Sequence, residues 1–328
     1  MLNALLSSMD QDNIPCIAFL DSRLKHPEKL SDKIHIFRIS PSIYDRLLAE
    51  LTLKRSIIGD DVALFFGNLP PLFKLDARTI LFIQNRYLID DLCLKYFNIR
   101  ARLRITYERI WLKMFCKNVD KIIVQTPSMR NCISNYLWRD SVVLPFLEMG
   151  KAYSRSILKT KNDEGTIYDF LYVASGEPHK NHKQLIDAWV ILATEGIYPV
   201  LCLTLNESTN QILVNMISNI VLKHDLKIVN VGSVPQASVY DLYKQSKAII
   251  YPSTVESFGL PLIEARNANL AIVASELDYV RDILDPEETF DPSSPRSIAR
   301  AVKRFLGYEE NDLPLVDPKS FLKFCINQ

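Results

Sequence analysis

Short apolar runs alternate with amphipathic stretches along most of the chain. Six runs in the first half are apolar at nearly every position, which is typical of strands buried on both faces of a parallel sheet. They cover residues 16–21, 34–39, 62–66, 79–84, 121–125 and 141–145. Helical spacing appears between several of them, at 42–51 and 127–137. The second of these helices is expected to begin at Pro127, with Thr126 as its N-cap.

The same alternation restarts after an interruption. Residues 148–167 lose the apolar period and gain charge, which predicts a domain boundary. The strands predicted beyond it cover residues 170–175, 198–205, 227–232, 248–253 and 271–275, with helices at 183–194 and 295–307. We therefore predict two successive α/β domains with parallel sheets, residues 1–148 and 149–328. Ligands of such sheets bind beyond the carboxyl ends of the strands.

Composition excludes several classes of protein. With 48% hydrophobic and 23% charged residues, the 328-residue chain is typical of a globular protein, and its net charge of +1 argues against nucleic acid as a partner. The six cysteines form no CxxC pair, which favours reduced thiols. No apolar run approaches the ~18 residues of a membrane span. We expect a cytoplasmic protein.

The stretch YPSTVESFGLPLIEA, residues 251–265, carries the most chemistry. It predicts the end of a strand, a loop, and a helix with Pro261 in its first turn. Gly259 would let the backbone approach a ligand, and the free amides at the helix start would suit a phosphate or diphosphate. Glu256 in the loop and Glu264 in the helix could accept hydrogen bonds from sugar hydroxyls, although a solvated surface position is the alternative for both. A ligand with both kinds of group is a nucleotide sugar.

The string ESFGLPLIE resembles the E-x7-E signature of retaining glycosyltransferases of family 4, the group 1 transferases. The preceding VGSVPQASVYDLYKQSKAIIYPS and the segment LYVASGEPHKNHKQLIDAW are similar to the same family, so the resemblance covers most of residues 168–306. It implies a GT-B fold, in which two Rossmann-like domains with parallel sheets face each other across a cleft. Residues 1–148 would form the acceptor side and 149–328 the nucleotide-sugar domain, with the last helix packing back on the first domain.

The resemblance also implies roles for individual residues. Glu256 would face the donor sugar, and Lys180 would neutralise the leaving group, so these two are the predicted catalytic residues; a solvated loop position is the alternative for Lys180. Glu264 would bind the ribose hydroxyls, and three backbone amides would hold the diphosphate. The full set of predicted donor-binding residues is Glu264, Phe258, Gly259, Leu260, Asn181 and Ser253.

The implied function is transfer of a hexose from a nucleotide-diphosphate sugar to an acceptor hydroxyl, with retention at the anomeric carbon. The acceptor would be a saccharide or lipid-linked saccharide in bacterial surface polysaccharide or O-antigen synthesis. We expect neither metal nor cofactor, because helix dipoles and a lysine would neutralise the charge of the diphosphate in place of a metal ion.

Two alternatives stay open. A non-catalytic or truncated nucleotide-sugar-binding relative is favoured by Ser175, which stands where the family commonly has Arg, and by an opening that resembles the helix after the family's first strand and Gly-rich loop. A GT-B-fold sugar-nucleotide epimerase would need acid and base residues in the cleft, and no convincing set is present.

His179 and His182 flank Lys180 at a spacing that suggests metal ligands. With no further His, Cys or carboxylate nearby, we interpret them as polar loop residues.

Residues 98–118 form a basic amphipathic pattern. Ile99, Leu103, Ile110 and Met114 make an apolar stripe at helical spacing, and six Arg or Lys residues accompany one Glu. Such a helix either contacts an anionic membrane at the cytoplasmic face or packs its stripe on the sheet with its basic residues in solvent.

Overall fold

The computed structural model describes residues 2–24, 30–92, 94, 97–145 and 166–308. Within these residues the strands form three sheets, and every pair of neighbouring strands is parallel. The predicted boundary stretch, 148–167, lies outside the described residues except for its last two positions. The α/β prediction with parallel sheets is confirmed.

The first half contains all six predicted strands, divided between two sheets. A pair, β1 (Cys16–Asp21) with β2 (Ile34–Ile39), stands apart from a four-stranded sheet in the order β3-β4-β5-β6. These four strands are Val62–Phe65, Arg78–Phe82, Lys121–Val124 and Val142–Val143. The helices are α1 (Leu2–Gln11), α2 (Ile43–Ser56), α3 (Ile99–Phe115) and α4 (Pro127–Leu137). As predicted, the Thr126 side chain caps α4 by accepting from the Met129 amide.

The second half contains one six-stranded sheet. Its strands are β7 (Tyr168–Tyr172), β8 (Leu201–Leu203), β9 (Ile228–Asn230), β10 (Ser246–Tyr251), β11 (Ala271–Ser275) and β12 (Glu288–Phe290). Its helices are α5 (His182–Thr194), α6 (Glu207–His224), α7 (Gln236–Lys244), α8 (Leu260–Asn267), α9 (Asp278–Arg281) and α10 (Pro295–Phe305). The sequence did not predict β12, because that strand is three residues long and only one of them is strongly apolar.

The strand order of this sheet, β9-β8-β7-β10-β11-β12, is that of the doubly wound Rossmann fold. The chain runs outward from β7 in one direction and then returns to place β10 on its other side. Strands β7 and β10 pair directly, and Ile249 lies opposite Leu171. The loops that follow β7 and β10 therefore lie side by side at the carboxyl edge, which is where such sheets bind ligands.

The last described helix, α10, packs against α5 within the second half, where Phe305 lies 5.5 Å from the ring of Phe170. A return of the chain to the first half could occur only after residue 308, outside the described residues, and stays a prediction.

The two halves meet at the carboxyl edge of the second sheet. The Arg86 amide donates to Ser257 Oγ at 3.0 Å, and the ring of Tyr87 lies 5.9 Å from that of His179. The Ser128 amide, in the first turn of α4, donates to Asp282 Oδ2 at 2.8 Å. Residues of the first half thus border the two loops.

Candidate functional site

Two loops build the site, the β7 loop (residues 173–181) and the β10 loop (residues 252–259). They are tied together, because the Thr254 amide donates to the His179 carbonyl at 2.8 Å. Asn181 also links them by donating from its side-chain amide to the carbonyl of Pro252 at 3.1 Å. Residues far apart in sequence are therefore held in fixed relative positions.

Lys180 and Glu256, the predicted catalytic residues, contact each other directly. Lys180 Nζ lies 2.6 Å from Glu256 Oε1, and only 15% and 12% of the two side chains is exposed. The Tyr251 hydroxyl donates to the same carboxylate oxygen at 2.9 Å. Burial makes an ion pair costly unless it is well hydrogen-bonded, and this pair is. The two residues therefore neutralise each other.

The start of α8 offers unused backbone donors. In the described part of the chain, the amides of Phe258, Gly259 and Leu260 have no protein acceptor. They lie at the positive end of the helix dipole, where an anion is stabilised. This geometry agrees with the predicted diphosphate contact, which stays a prediction.

The backbone conformation of Gly259 requires glycine independently of any ligand. Its φ is +63°, a left-handed conformation that side chains disfavour. A Cβ there would also lie 3.2 Å from Leu262 Cδ1. The shape of the chain at the start of α8 is thus one reason for glycine, and the close approach of a ligand stays a prediction.

Glu264 lies in the second turn of α8, and α7 holds its carboxylate. The Tyr243 hydroxyl donates to Glu264 Oε2 at 3.0 Å, and Gln236 Nε2 donates to Oε1 at 3.3 Å. A carboxylate has about four acceptor positions, so further donors can still bind.

Asn181 and Ser253 already have partners within the protein. Asn181 uses its side-chain amide for the carbonyls of Pro252 and, at 2.7 Å, Pro292. Ser253 is fully buried, and its hydroxyl lies 3.2 Å from that of Tyr172. Both residues brace the loops, and their role in donor binding stays a prediction.

Three buried tyrosines lie beneath the two loops. Tyr172 donates to the Lys180 carbonyl at 2.6 Å, Tyr279 to the Ser253 carbonyl at 2.9 Å, and Tyr251 to Glu256. Burial raises the pKa of all three phenols well above the usual range, so they remain protonated donors. Sequence reasoning missed them. The available signal was that Tyr172 and Tyr251 are each the last residue of a strand, directly under the loop that follows.

The interpretation of His182 as a polar loop residue is wrong. It begins α5, is 3% exposed, and stacks 4.9 Å from the ring of Tyr172; among the described residues neither of its nitrogens has a hydrogen-bond partner. Burial, and then the charge of Lys180, lower its pKa to about 4. His179 is half-buried, and burial lowers its pKa too. The described residues contain no group of three or more His, Cys, Asp or Glu arranged to hold a metal.

Ser175, the residue that replaces the expected Arg, pairs with an acid. Its hydroxyl donates to the carboxylate of Glu177, which lies in the same loop. This hydrogen bond helps to lower the pKa of Glu177 against the opposing effect of its burial. The β7 loop therefore presents one cation, Lys180, together with one nearby carboxylate.

The apolar stripe of α3 is exposed. Ile99, Leu103, Ile110 and Met114, which we call the α3 stripe, are between 53% and 73% exposed. The opposite side of the helix packs inward, through residues Ile105, Trp111 and Leu112. The interpretation in which this stripe packs on the sheet is therefore wrong. In the part of the chain that the structure describes, no helix is long and apolar enough to cross a membrane.

Comparison with known proteins agrees with this architecture. Over 93% of its length the chain matches a solved glycosyltransferase from Rickettsia africae, with a TM-score of 0.66, 14% identity and coverage of 84% of that structure. At this identity the match defines the fold, which is GT-B.

The sequence of the second half is similar to a known family. Residues 155–314 match the model of the family described as glycosyl transferases group 1. This part of the chain is therefore similar to that family.

Two curated relatives are named for an activity. A serotype-specific mannosyltransferase, WbdA of Escherichia coli, is 24% identical over 62% of this chain and 28% of its own length. An O-antigen chain mannosyltransferase, RfbU of Salmonella typhimurium, is 22% identical over 74% of this chain and 66% of its own length. The chain thus spans less than two thirds of either relative.

Proposed function

We propose that this chain transfers mannose from a nucleoside-diphosphate mannose to a saccharide hydroxyl, with retention at the anomeric carbon. One observation carries the proposal: Lys180 and Glu256 meet at 2.6 Å where the strand order reverses, beside the start of α8. The names of WbdA and RfbU support mannose as the sugar and an O-antigen chain as the product.

The same residues suggest a mechanism. The diphosphate binds the free amides at the start of α8, and Lys180 turns from Glu256 to the phosphate that will leave. The bond from the anomeric carbon to the phosphate oxygen breaks, the acceptor oxygen bonds to the same face of that carbon, and the leaving phosphate takes the acceptor's proton. Positioning and charge stabilisation supply the catalysis, and no metal is required.

Glu256 has a separate part in this scheme. Once Lys180 has turned to the phosphate, the carboxylate keeps its hydrogen bond from Tyr251 and faces the sugar. It then accepts hydrogen bonds from the sugar hydroxyls, which fixes the anomeric carbon relative to the acceptor.

The acceptor is a lipid-linked saccharide at the cytoplasmic face of the membrane, and α3 contacts that membrane. The α3 stripe is flanked by Arg100 and Arg104 on one side and by Arg102 and Lys113 on the other, at 100° per residue. An exposed apolar face with basic margins favours an anionic lipid surface.

Vesicle sedimentation at low salt tests the membrane contact. The protein should bind vesicles containing phosphatidylglycerol but not pure phosphatidylcholine, and Leu103→Ser combined with Ile110→Ser should abolish binding. Ile212→Ser, an exposed apolar side chain of the second half, is the control and should bind like the unaltered protein. Failure of the unaltered protein to bind would overturn this contact.

Two assays test the transferase activity. GDP, UDP, ADP or dTDP at ~100 times its Kd should stabilise the fold by about 2.7 kcal/mol, visible as a rise in Tm. Transfer from the matching mannose donor to a mannose-terminated lipid acceptor should then give a product whose anomeric configuration, read by NMR, equals that of the donor. Glu256→Gln should bind nucleotide and transfer poorly.

The alternatives give different results. Binding without transfer would identify a non-catalytic nucleotide-sugar binder. An isomerised sugar nucleotide in the absence of acceptor would identify an epimerase.

A further inference from the structure

Glu256 and Glu264 each accept a hydrogen bond from the hydroxyl of a buried tyrosine in a neighbouring element. Tyr251, at the end of β10, donates to Glu256 at 2.9 Å. Tyr243, in α7, donates to Glu264 at 3.0 Å. Tyr251 is 1% exposed and Tyr243 is 2% exposed, whereas both glutamates are partly exposed.

Burial gives these phenols two properties. It raises the pKa of Tyr243 and Tyr251 far above neutrality, so each hydroxyl stays a donor at any working pH. It also fixes the rings, because Tyr251 packs edge-on against Tyr172 at 5.8 Å. A fixed donor restricts the carboxylate that accepts from it and leaves other lone pairs for a ligand.

The two carboxylates differ in their second hydrogen-bond partner. Glu256 has Lys180 as its second partner, and the proposed mechanism moves that lysine to the leaving phosphate. Tyr251 then remains as its protein donor among the described contacts. Glu264 has Gln236 as its second partner, at a longer 3.3 Å. In the proposed mechanism Tyr251 is thus the contact that Glu256 keeps, and Tyr243 makes the shorter of the two contacts to Glu264.

We propose that Tyr251 and Tyr243 are positioning residues with separate tasks. Tyr251 orients the Glu256 carboxylate toward the donor sugar, and Tyr243 orients the Glu264 carboxylate toward the ribose hydroxyls. This inference rests on the proposed function, because it assigns each carboxylate to one part of a nucleotide sugar.

Two separate variants, Tyr251→Phe and Tyr243→Phe, test this inference. Each retains the ring and removes only the donor. Tyr168→Phe is the control, because Tyr168 packs against the same core at the amino end of β7, away from the two loops. Calorimetry with GDP, UDP, ADP and dTDP gives the affinity for the nucleotide, and kinetics with the matching mannose donor give kcat and KM. Tm values check that all three variants fold.

The two variants should change different quantities, the affinity for the nucleotide in one and kcat in the other. Tyr243→Phe should weaken binding of the nucleoside diphosphate about tenfold, and in a Glu264→Ala background it should add no further loss. Tyr251→Phe should leave that affinity within about twofold and lower kcat about tenfold. Tyr168→Phe should change neither quantity by more than about twofold.

Each other outcome has a defined meaning. If the Tyr243 and Tyr251 variants behave like the Tyr168 control while the unaltered protein binds and transfers, the positioning roles are wrong and the proposed function stands. If Tyr243→Phe still costs affinity without Glu264, its effect is structural, and that also overturns the inference. If the unaltered protein binds none of the four nucleotides, the proposed function fails and this inference fails with it.

Discussion

The two halves of the molecule bury their apolar residues very differently. Among the described residues, which the halves share almost equally, the second half forms one core cluster of 33 buried hydrophobic residues. The first half forms clusters of 11 and 3. Of the 25 large hydrophobic side chains that are exposed in the described residues, 18 lie in the first half.

This difference indicates that the two halves have different roles. The proposed donor site is built on the continuous core, where buried tyrosines can hold loop atoms at fixed distances. The first half presents its apolar residues outward, on the α3 stripe and along α2. Large exposed apolar surfaces mark sites of interaction, and the proposed membrane contact uses one of them.

The largest expected effect contrasts a tryptophan from each half. Trp189 is 1% exposed in the second core, and its indole donates to the Pro199 carbonyl, whereas Trp138 in the first half is 90% exposed. Trp189→Ala should lower the free energy of unfolding by about 3–5 kcal/mol, and Trp138→Ala should change it by less than about 0.5 kcal/mol. Urea unfolding measures both. A comparable loss in the two variants would contradict the comparison.

Removal of Lys180 should come next in size, and it should affect catalysis. Lys180→Ala removes the cation proposed to stabilise the leaving phosphate and leaves the Glu256 carboxylate without its ion pair. We expect kcat to fall about 100-fold to 1,000-fold, measured as release of nucleoside diphosphate.

Lys183, one turn away on α5 and paired with Asp187 at the surface, is the matched control. Lys183→Ala should retain nearly full activity. Equal losses in the two variants would mean that general charge near the start of α5 matters and that the position of Lys180 does not.

His182 should make the second half sensitive to acid. Its pKa is lowered from 6.5 to about 4 in the folded protein, so the neutral form stabilises the fold fully above pH 6.5. That contribution, about 3 kcal/mol, should be lost as the pH falls from 6.5 to 4, because the unfolded chain binds the proton more tightly. Urea unfolding between pH 7 and 4 measures the loss.

The matched variant is His182→Phe, which keeps a ring against Tyr172 and has no group to protonate. Its stability should fall less than that of the unaltered protein over this pH range. Parallel curves for the two proteins would show that His182 does not cause the acid sensitivity.

Much of the fold was predictable, because it depends on local pattern. Each of the 11 predicted strands overlaps a strand of the structure, since a continuous apolar run between turn residues fits little else. The side of a helix that is buried depends instead on its neighbours. In α3, Trp111 is covered by the Arg46 guanidinium 4.7 Å away and bonds the Pro70 carbonyl, and neither contact is visible in the spacing of α3.

The sequence predicted which loops carry the candidate site, but not the contacts between its side chains. Loops after β7 and β10 were expected to carry it, yet the meeting of Lys180 with Glu256 requires two segments 76 residues apart. The bonds from Tyr243 and Tyr251 to the glutamates could not be predicted, because an aromatic residue at a buried position looks like ordinary core. Its hydroxyl acquires a role only from the partner that folding brings to it.

The smallest expected effect concerns the junction between the halves. Asp282, next to α9 of the second half, accepts from the Ser128 amide in the first turn of α4, where a negative charge also stabilises the helix dipole. Asp282→Asn should lower the free energy of unfolding by only about 0.5 kcal/mol, but hydrogen exchange at the Ser128 amide should become several-fold faster. Asp285→Asn is the matched control, because its carboxylate pairs with Arg281 inside the second half. If both variants leave exchange in α4 unchanged, the halves do not depend on this bond, and the well-packed half does not stabilise the other through it.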